Sequence, residues 1–161
     1  MTAVVQVDGI RVEAVDDQDA ETLDLGRWAT LLAAGLAHEG VVGPAEAGLT
    51  FVDGDTIAQL KFDHLDGDGA PTDVLAFPLD DDLELRVGVA PDDMPRMVGD
   101  VVICPAYART NTELGSLDDE LALLVVHGLL HLLGHDHAEP AETEHMRSRE
   151  QALLDRFHRA A

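Results

Sequence analysis

The spacing of apolar and polar positions divides the chain into short, distinct elements. Val4, Val5 and Val7 lie in a β-prone stretch that continues toward Ile10 and Val12. Over residues 20–37, Leu23, Leu25, Trp28, Leu31, Leu32 and Leu36 recur at helical spacing and predict an amphipathic helix ended by Gly40 and Gly43. Residues 49–52 read as a strand, and Asp53 then caps a short helix over residues 56–62. Residues 64–70, rich in glycine and aspartate, read as loop. Residues 74–77 form a strand bounded by Pro71 and Pro78, followed by an exposed acidic loop over residues 79–84. A strand over residues 100–104 stops at Pro105, which opens a helix at its first turn.

The second half is helical. Ser116 and Asp119 form a capping pattern for a helix over residues 117–133, apolar on nearly every side from Leu121 onward. Such a helix belongs at the centre of a domain, packed on all faces. Its two polar interruptions are His127 and His131. Pro140 starts a last helix whose buried stripe is Met146, Leu153, Leu154 and Phe157, with Arg149, Arg156 and Arg159 outside it. The length of 161 residues suits one domain with a real core, with the helix over residues 117–133 at its centre.

Composition narrows the class. Ten basic residues stand against 32 acidic ones, a net charge of −22, with Lys61 the only lysine. Charge of this sign repels phosphate backbones at long range and argues against a nucleic-acid coat or a histone-like role. No DNA partner is expected, and any meeting with RNA is confined to one locally positive place, where a bound cation supplies the charge. The lone cysteine, Cys104, excludes an internal disulfide. No basic stretch followed by an apolar run marks the N-terminus, and the apolar run over residues 121–126 is too short to cross a bilayer. The expected address is cytoplasmic, away from membranes.

The chemistry is concentrated in one stretch, His127-Gly128-Leu129-Leu130-His131-Leu132-Leu133-Gly134-His135-Asp136-His137. His127 and His131, four apart, share a helix face. Gly134 stands where a left-handed residue ends a helix, and the turn brings His137 back toward the pair. Three imidazoles with an open fourth position suit one Zn²⁺ per chain, and such an ion brings the pKa of water toward neutrality. Asp136 lies next to the third ligand, placed to accept a hydrogen bond from a ligand ring or to cap the turn. His135 is an outward acid or base, or a solvent-exposed ring. The spacing is that of the metzincin proteases, in which a glutamate follows the first histidine as general base. Gly128 stands there instead, which argues against that kind of peptidase.

Residues 127–137, with Pro71-Thr72-Asp73-Val74-Leu75-Ala76-Phe77-Pro78 and Gly99-Asp100-Val101-Val102-Ile103, resemble the YbeY family of bacterial metal-dependent endoribonucleases. The family pattern His-Gly-x-Leu-His-Leu-x-Gly-x-Asp-His is matched at every fixed position, and Ala76 replaces a serine of the second block. The resemblance implies an α+β fold, a single domain over residues 1–161 with a small mixed sheet packed against helices and a buried central metal-binding helix, and a zinc held by His127, His131 and His137. It also implies cleavage of single-stranded RNA in ribosomal RNA maturation and ribosome quality control, with ribosomal RNA and the ribosome or its assembly factors as partners. Thr72 and Asp73 either line the cleft or hold a strand-entry turn through their own side-chain hydrogen bonds. Asp73, His135 and Asp136 are the candidates for proton transfer. Arg149 and Arg156, alongside Arg147 and Arg159, are candidates for substrate contact or make a solvated helix face. Many members carry an arginine in the loop before the second block; here residues 64–70 hold none, and Leu65 stands nearest its place. Two other readings share the metal: a zinc hydrolase acting on a peptide or amide, and a non-catalytic ribosome assembly factor with structural zinc. The oligomeric state is left open.

Overall fold

The computed structural model describes residues 1–64, 72–89, 94–111, 116–135 and 139–159. The N-terminal β-prone stretch is two strands, β1 (Thr2–Val7) and β2 (Ile10–Asp17), paired antiparallel with Val7 opposite Ile10. Asp8 and Gly9 both take positive φ, 50° and 81°. That is the two-residue turn whose twist matches a hairpin, and an aspartate-glycine pair adopts it readily. The expectation of one continuing stretch is corrected by this turn.

Helix α1 (Leu25–His38) follows, capped by the Asp24 side chain accepting from Arg27 N at 3.2 Å. Strand β3 (Ala45–Val52) starts four residues before the predicted one. Its first half is Ala45, Glu46, Ala47 and Gly48, residue types depleted in strands, which give a weak strand signal. Helix α2 (Gly54–His64) is capped by Asp53, which accepts from Thr56 N at 2.8 Å. Strand β4 (Val74–Pro78) leads into the acidic segment, and here the loop reading is corrected. Asp81 caps a helical turn, α3 (Asp82–Leu85), which buries Leu85, while Asp80 accepts from Met97 N at 2.7 Å. The carboxylates satisfy main-chain donors and so tie the segment down.

Strand β5 (Arg96–Ile103), the short α4 (Pro105–Ala108), α5 (Leu117–Leu132) and α6 (Pro140–Leu154) complete the chain, with a π-helical turn at Asp155–Arg159. The sheet order is β1-β2-β3-β5-β4; the two outer pairings are antiparallel and the two inner ones parallel. The fold is therefore α+β with a mixed sheet, as expected.

The main core lies between one sheet face and α1 and α5. Helix α5 is buried on every side from Leu121 to Leu132 except along the face of Leu123, His127 and His131, which are half-buried. It sits low on the sheet because Gly128 has no side chain: a Cβ there would come within 2.7 Å of Val101 Cγ1 on β5. Helix α6 packs on the outside of α5 through Met146 and Leu153. The opposite sheet face carries a smaller cluster in which Ile57 of α2 meets Val52, Leu75 and Val102. Both faces of the inner strands are thus covered, and β4 remains at the rim beside α5.

Candidate metal centre and cleft

Ser116 opens α5 by accepting from Asp119 N at 3.1 Å, in line with the capping pattern. The helix ends at Gly134, φ 91°, where Gly134 N bonds to His131 O at 3.1 Å and His135 N to Leu130 O at 3.0 Å. These two bonds are the pair that closes a helix through a left-handed glycine. The helix is therefore terminated firmly, one turn after the second histidine of its polar face.

His127 and His131 meet on that face. Their rings are 4.6 Å apart, edge to face, and the two Nε2 atoms approach to 3.1 Å. Two imidazoles at Zn–N distances of 2.0–2.1 Å and a tetrahedral angle place their nitrogens about 3.3 Å apart. The donors present fit such an ion. His127 and His131 would hold it with His137, which together with Asp136 lies outside the described residues. Among the described residues no cluster of three or more donors forms.

On its far side, the ring of His127 reaches Glu150 of α6: Nδ1 lies 3.1 Å from Oε1. With hydrogen on Nδ1, that nitrogen donates to the carboxylate and Nε2 keeps its lone pair for a cation. Carboxylates of this kind fix the tautomer and orientation of a ligand ring. Sequence reasoning missed Glu150, although a signal was present. Met146, Glu150, Leu153 and Leu154 fall on one helix face, so a carboxylate interrupts the stripe that packs on α5.

The histidine pair forms one wall of a cleft of about 410 Å³. Gly128 joins it on that wall, and Thr72, Asp73, Val74, Leu75, Ala76 and Pro78 form the other. The structure thus brings Thr72 and Asp73 to the histidines. Asp73 is the one carboxylate among the described lining residues, and its carbonyl accepts from Cys104 N at 2.9 Å, which anchors the start of β4.

Other candidates are placed elsewhere. His135 stacks on His145 with ring centroids 5.4 Å apart. Burial and then the neighbouring His145 hold its pKa below the usual histidine range, so it favours the neutral form. Arg149 grips Glu39 through both Nε and Nη2, with the Glu39 side chain only 6% exposed. This half-buried pair commits the guanidinium to Glu39 and joins α6 to the end of α1, and Arg149 is not among the lining residues of the cleft. Arg156 lies over the ring of Phe157 at 5.4 Å, and Arg159 is paired with Asp155 at 2.8 Å. Neither lines the cleft.

An α+β fold in which a histidine pair and an aspartate line one cleft at the sheet rim has the layout of a hydrolase centre. The sequence profile of the family described as Endoribonuclease YbeY matches residues 13–158. A Nocardia farcinica protein named Endoribonuclease YbeY is 45% identical over 119 residues, covering 71% of this chain and 62% of the relative. A Rhodococcus erythropolis protein of the same name is 39% identical over 149 residues, covering 89% and 77%. The chain belongs to the YbeY family. It spans between about three-fifths and three-quarters of the length of these relatives. A solution structure of TM1509 from Thermotoga maritima shares the fold, with TM-score 0.56 at 21% identity over 92% of this chain and 93% of that one.

Proposed function

We propose that this protein is a zinc-dependent endoribonuclease that cuts single-stranded RNA in ribosomal RNA maturation and ribosome quality control, in the cytoplasm. The observation that carries the reading is the pair of Nε2 atoms 3.1 Å apart on the wall of an open cleft that Asp73 also lines. His127, His131 and His137 are the residues that would hold the ion. When bound, the ion supplies positive charge to offset the negative charge that builds on phosphoryl oxygens during cleavage.

The remaining roles belong to the chain itself. Glu150 orients His127. Asp73, fixed by the β4–β5 ladder, is the group we assign to proton transfer at its carboxylate. The Gly128 contact with Val101 leaves no room for the glutamate that zinc peptidases carry after the first histidine, which favours a phosphodiester over a peptide as the bond cleaved.

The test is elemental analysis of the purified protein together with cleavage of ribosomal RNA with and without chelator. About one zinc per chain and cleavage abolished by the chelator are expected. Metal-free protein that cuts RNA, or zinc-loaded protein that cuts casein and not RNA, would refute the assignment.

A further inference from the structure

We infer that the free edge of β4 reads the bases of the RNA, through main-chain N–H and C=O groups of Val74 and Ala76. The inference rests on the RNA-cleaving reading above and assigns the wall opposite the histidines.

It begins with register. β4 pairs with β5 so that Leu75 faces Val102 and Phe77 faces Asp100. Just outside the strand, Cys104 N donates to Asp73 O at 2.9 Å and Leu79 N to Val98 O at 3.1 Å. In an antiparallel ladder every second residue exchanges both its bonds with the neighbour. Residues 73, 75, 77 and 79 therefore spend their main-chain groups on β5. Val74, Ala76 and Pro78 turn theirs the other way. β4 is the last strand of the sheet, and among the described residues no strand pairs with its outer side. Among the described residues, the outer edge thus presents an N–H and a C=O at Val74, the same at Ala76, and a lone C=O at Pro78.

The second observation concerns charge. No lysine or arginine is among the described residues that line the cleft. Seven arginines, at 11, 27, 86, 96, 109, 149 and 159, are paired with carboxylates. A wall without cations, on a chain of net charge −22, is a poor holder of phosphates. Alternating neutral donors and acceptors match the edge of a nucleobase, which also carries a donor beside an acceptor. Such edges are available in single strands and are occupied in duplexes. Strand addition by a peptide would use the same groups, but the cleft ends at a histidine pair without the peptidase glutamate, so RNA is the occupant we assign.

Proline substitution isolates these bonds. Ala76→Pro deletes an outward N–H and leaves the β5 ladder unbroken, and Pro78 shows that the edge accepts the ring two residues on. Affinity is measured by fluorescence anisotropy on the protein as purified. The ligands are a short unstructured RNA with 2′-O-methyl groups and an abasic strand of equal length and charge. The phosphate charge is the same in both, so the repulsion from the acidic chain cancels.

We expect Ala76→Pro to weaken binding of the normal strand by about tenfold, and wild type to show a comparable loss on the abasic strand. Ala76→Pro should then add little further loss on the abasic strand. Circular dichroism and zinc content check that the variant is folded and loaded, and the wild-type comparison of the two strands stands even if it is not. Equal wild-type affinity for both strands overturns the inference. So does an Ala76→Pro loss that is the same on both, or a variant that loses affinity for an extended peptide while binding RNA normally. A wild type that binds and cleaves no RNA at all overturns the parent assignment as well, whereas intact cleavage with equal affinities overturns only the role of β4.

Discussion

The carboxylate of Glu150 meets Nδ1 of His127 at 3.1 Å, across the packed interface of α5 and α6. The bond joins a helix rich in polar residues to the one polar face of a buried helix. It determines which nitrogen of His127 is left for a cation. Removing it with Glu150→Ala should weaken zinc binding by about 10- to 100-fold, while Glu150→Gln, whose amide oxygen still accepts, should recover part of the loss. Competition against a chelator of known affinity provides the measurement. Unchanged affinity in the alanine variant would show that the contact only packs the two helices.

His131→Ala removes one member of the pair without touching the apolar faces of α5. The variant should stay folded, lose bound zinc, and lose nuclease activity along with it. A metal bound only by the native state adds to folding free energy. Wild type should therefore melt higher with zinc than with chelator, and the variant should melt alike in both. Full zinc occupancy in the variant would remove His131 from the ligand set.

Gly128→Ala tests how closely α5 lies on the sheet. The added methyl would press on Val101, a stiff β-branched residue buried in β5. Overpacking of this kind costs about 1–3 kcal/mol, partly offset by the better helix propensity of alanine. A fall in Tm of a few degrees is expected, read by calorimetry. A rise in Tm would mean that Val101 yields and that the approach is looser than the structure shows.

The C-terminal turn gives a pH prediction. His158 Nε2 lies 2.8 Å from Asp119 Oδ1, and its Nδ1 is 3.2 Å from Arg27 Nη2. The bond from His158, followed by that from Ser116, holds the Asp119 carboxyl below its ordinary value of 3.8. A depressed carboxylate contributes stability above its unfolded pKa and loses it as pH falls through the folded one. Asp119 thus supports the fold near neutrality, and that support fades only below about pH 3.8. Asp119→Asn should flatten the acid limb of a Tm-against-pH curve and leave the neutral-to-basic limb parallel to wild type. An acid limb as steep as that of wild type would assign the acid sensitivity to other carboxylates.

Much of this was legible in the residues themselves, for reasons that differ by element. Histidines four apart on an apolar helix must share a face, and a glycine after the last apolar turn must end it. Both follow from local geometry. Glu150 was less visible because its partner is 23 residues away, and only the packing of α6 on α5 joins them. The Asp8–Gly9 turn was hidden by valines on either side, which read as one run unless the turn pair is given priority. The acidic stretch after β4 reads as solvated charge, yet Asp80 and Asp81 bond to main-chain donors. Arg149 fell outside the apolar stripe and looked free to meet solvent. Its partner Glu39 lies 110 residues back, at the end of α1, and no spacing rule reaches that far.

An open strand edge has a second consequence. The row of main-chain groups along β4 would serve another copy of the chain as readily as any ligand, and strands left bare in this way seed aggregates. Pro78 breaks the row at one end, and like charge keeps neighbouring molecules apart. Acidification neutralises that charge while the fold still stands. Turbidity should therefore appear at a higher pH than unfolding.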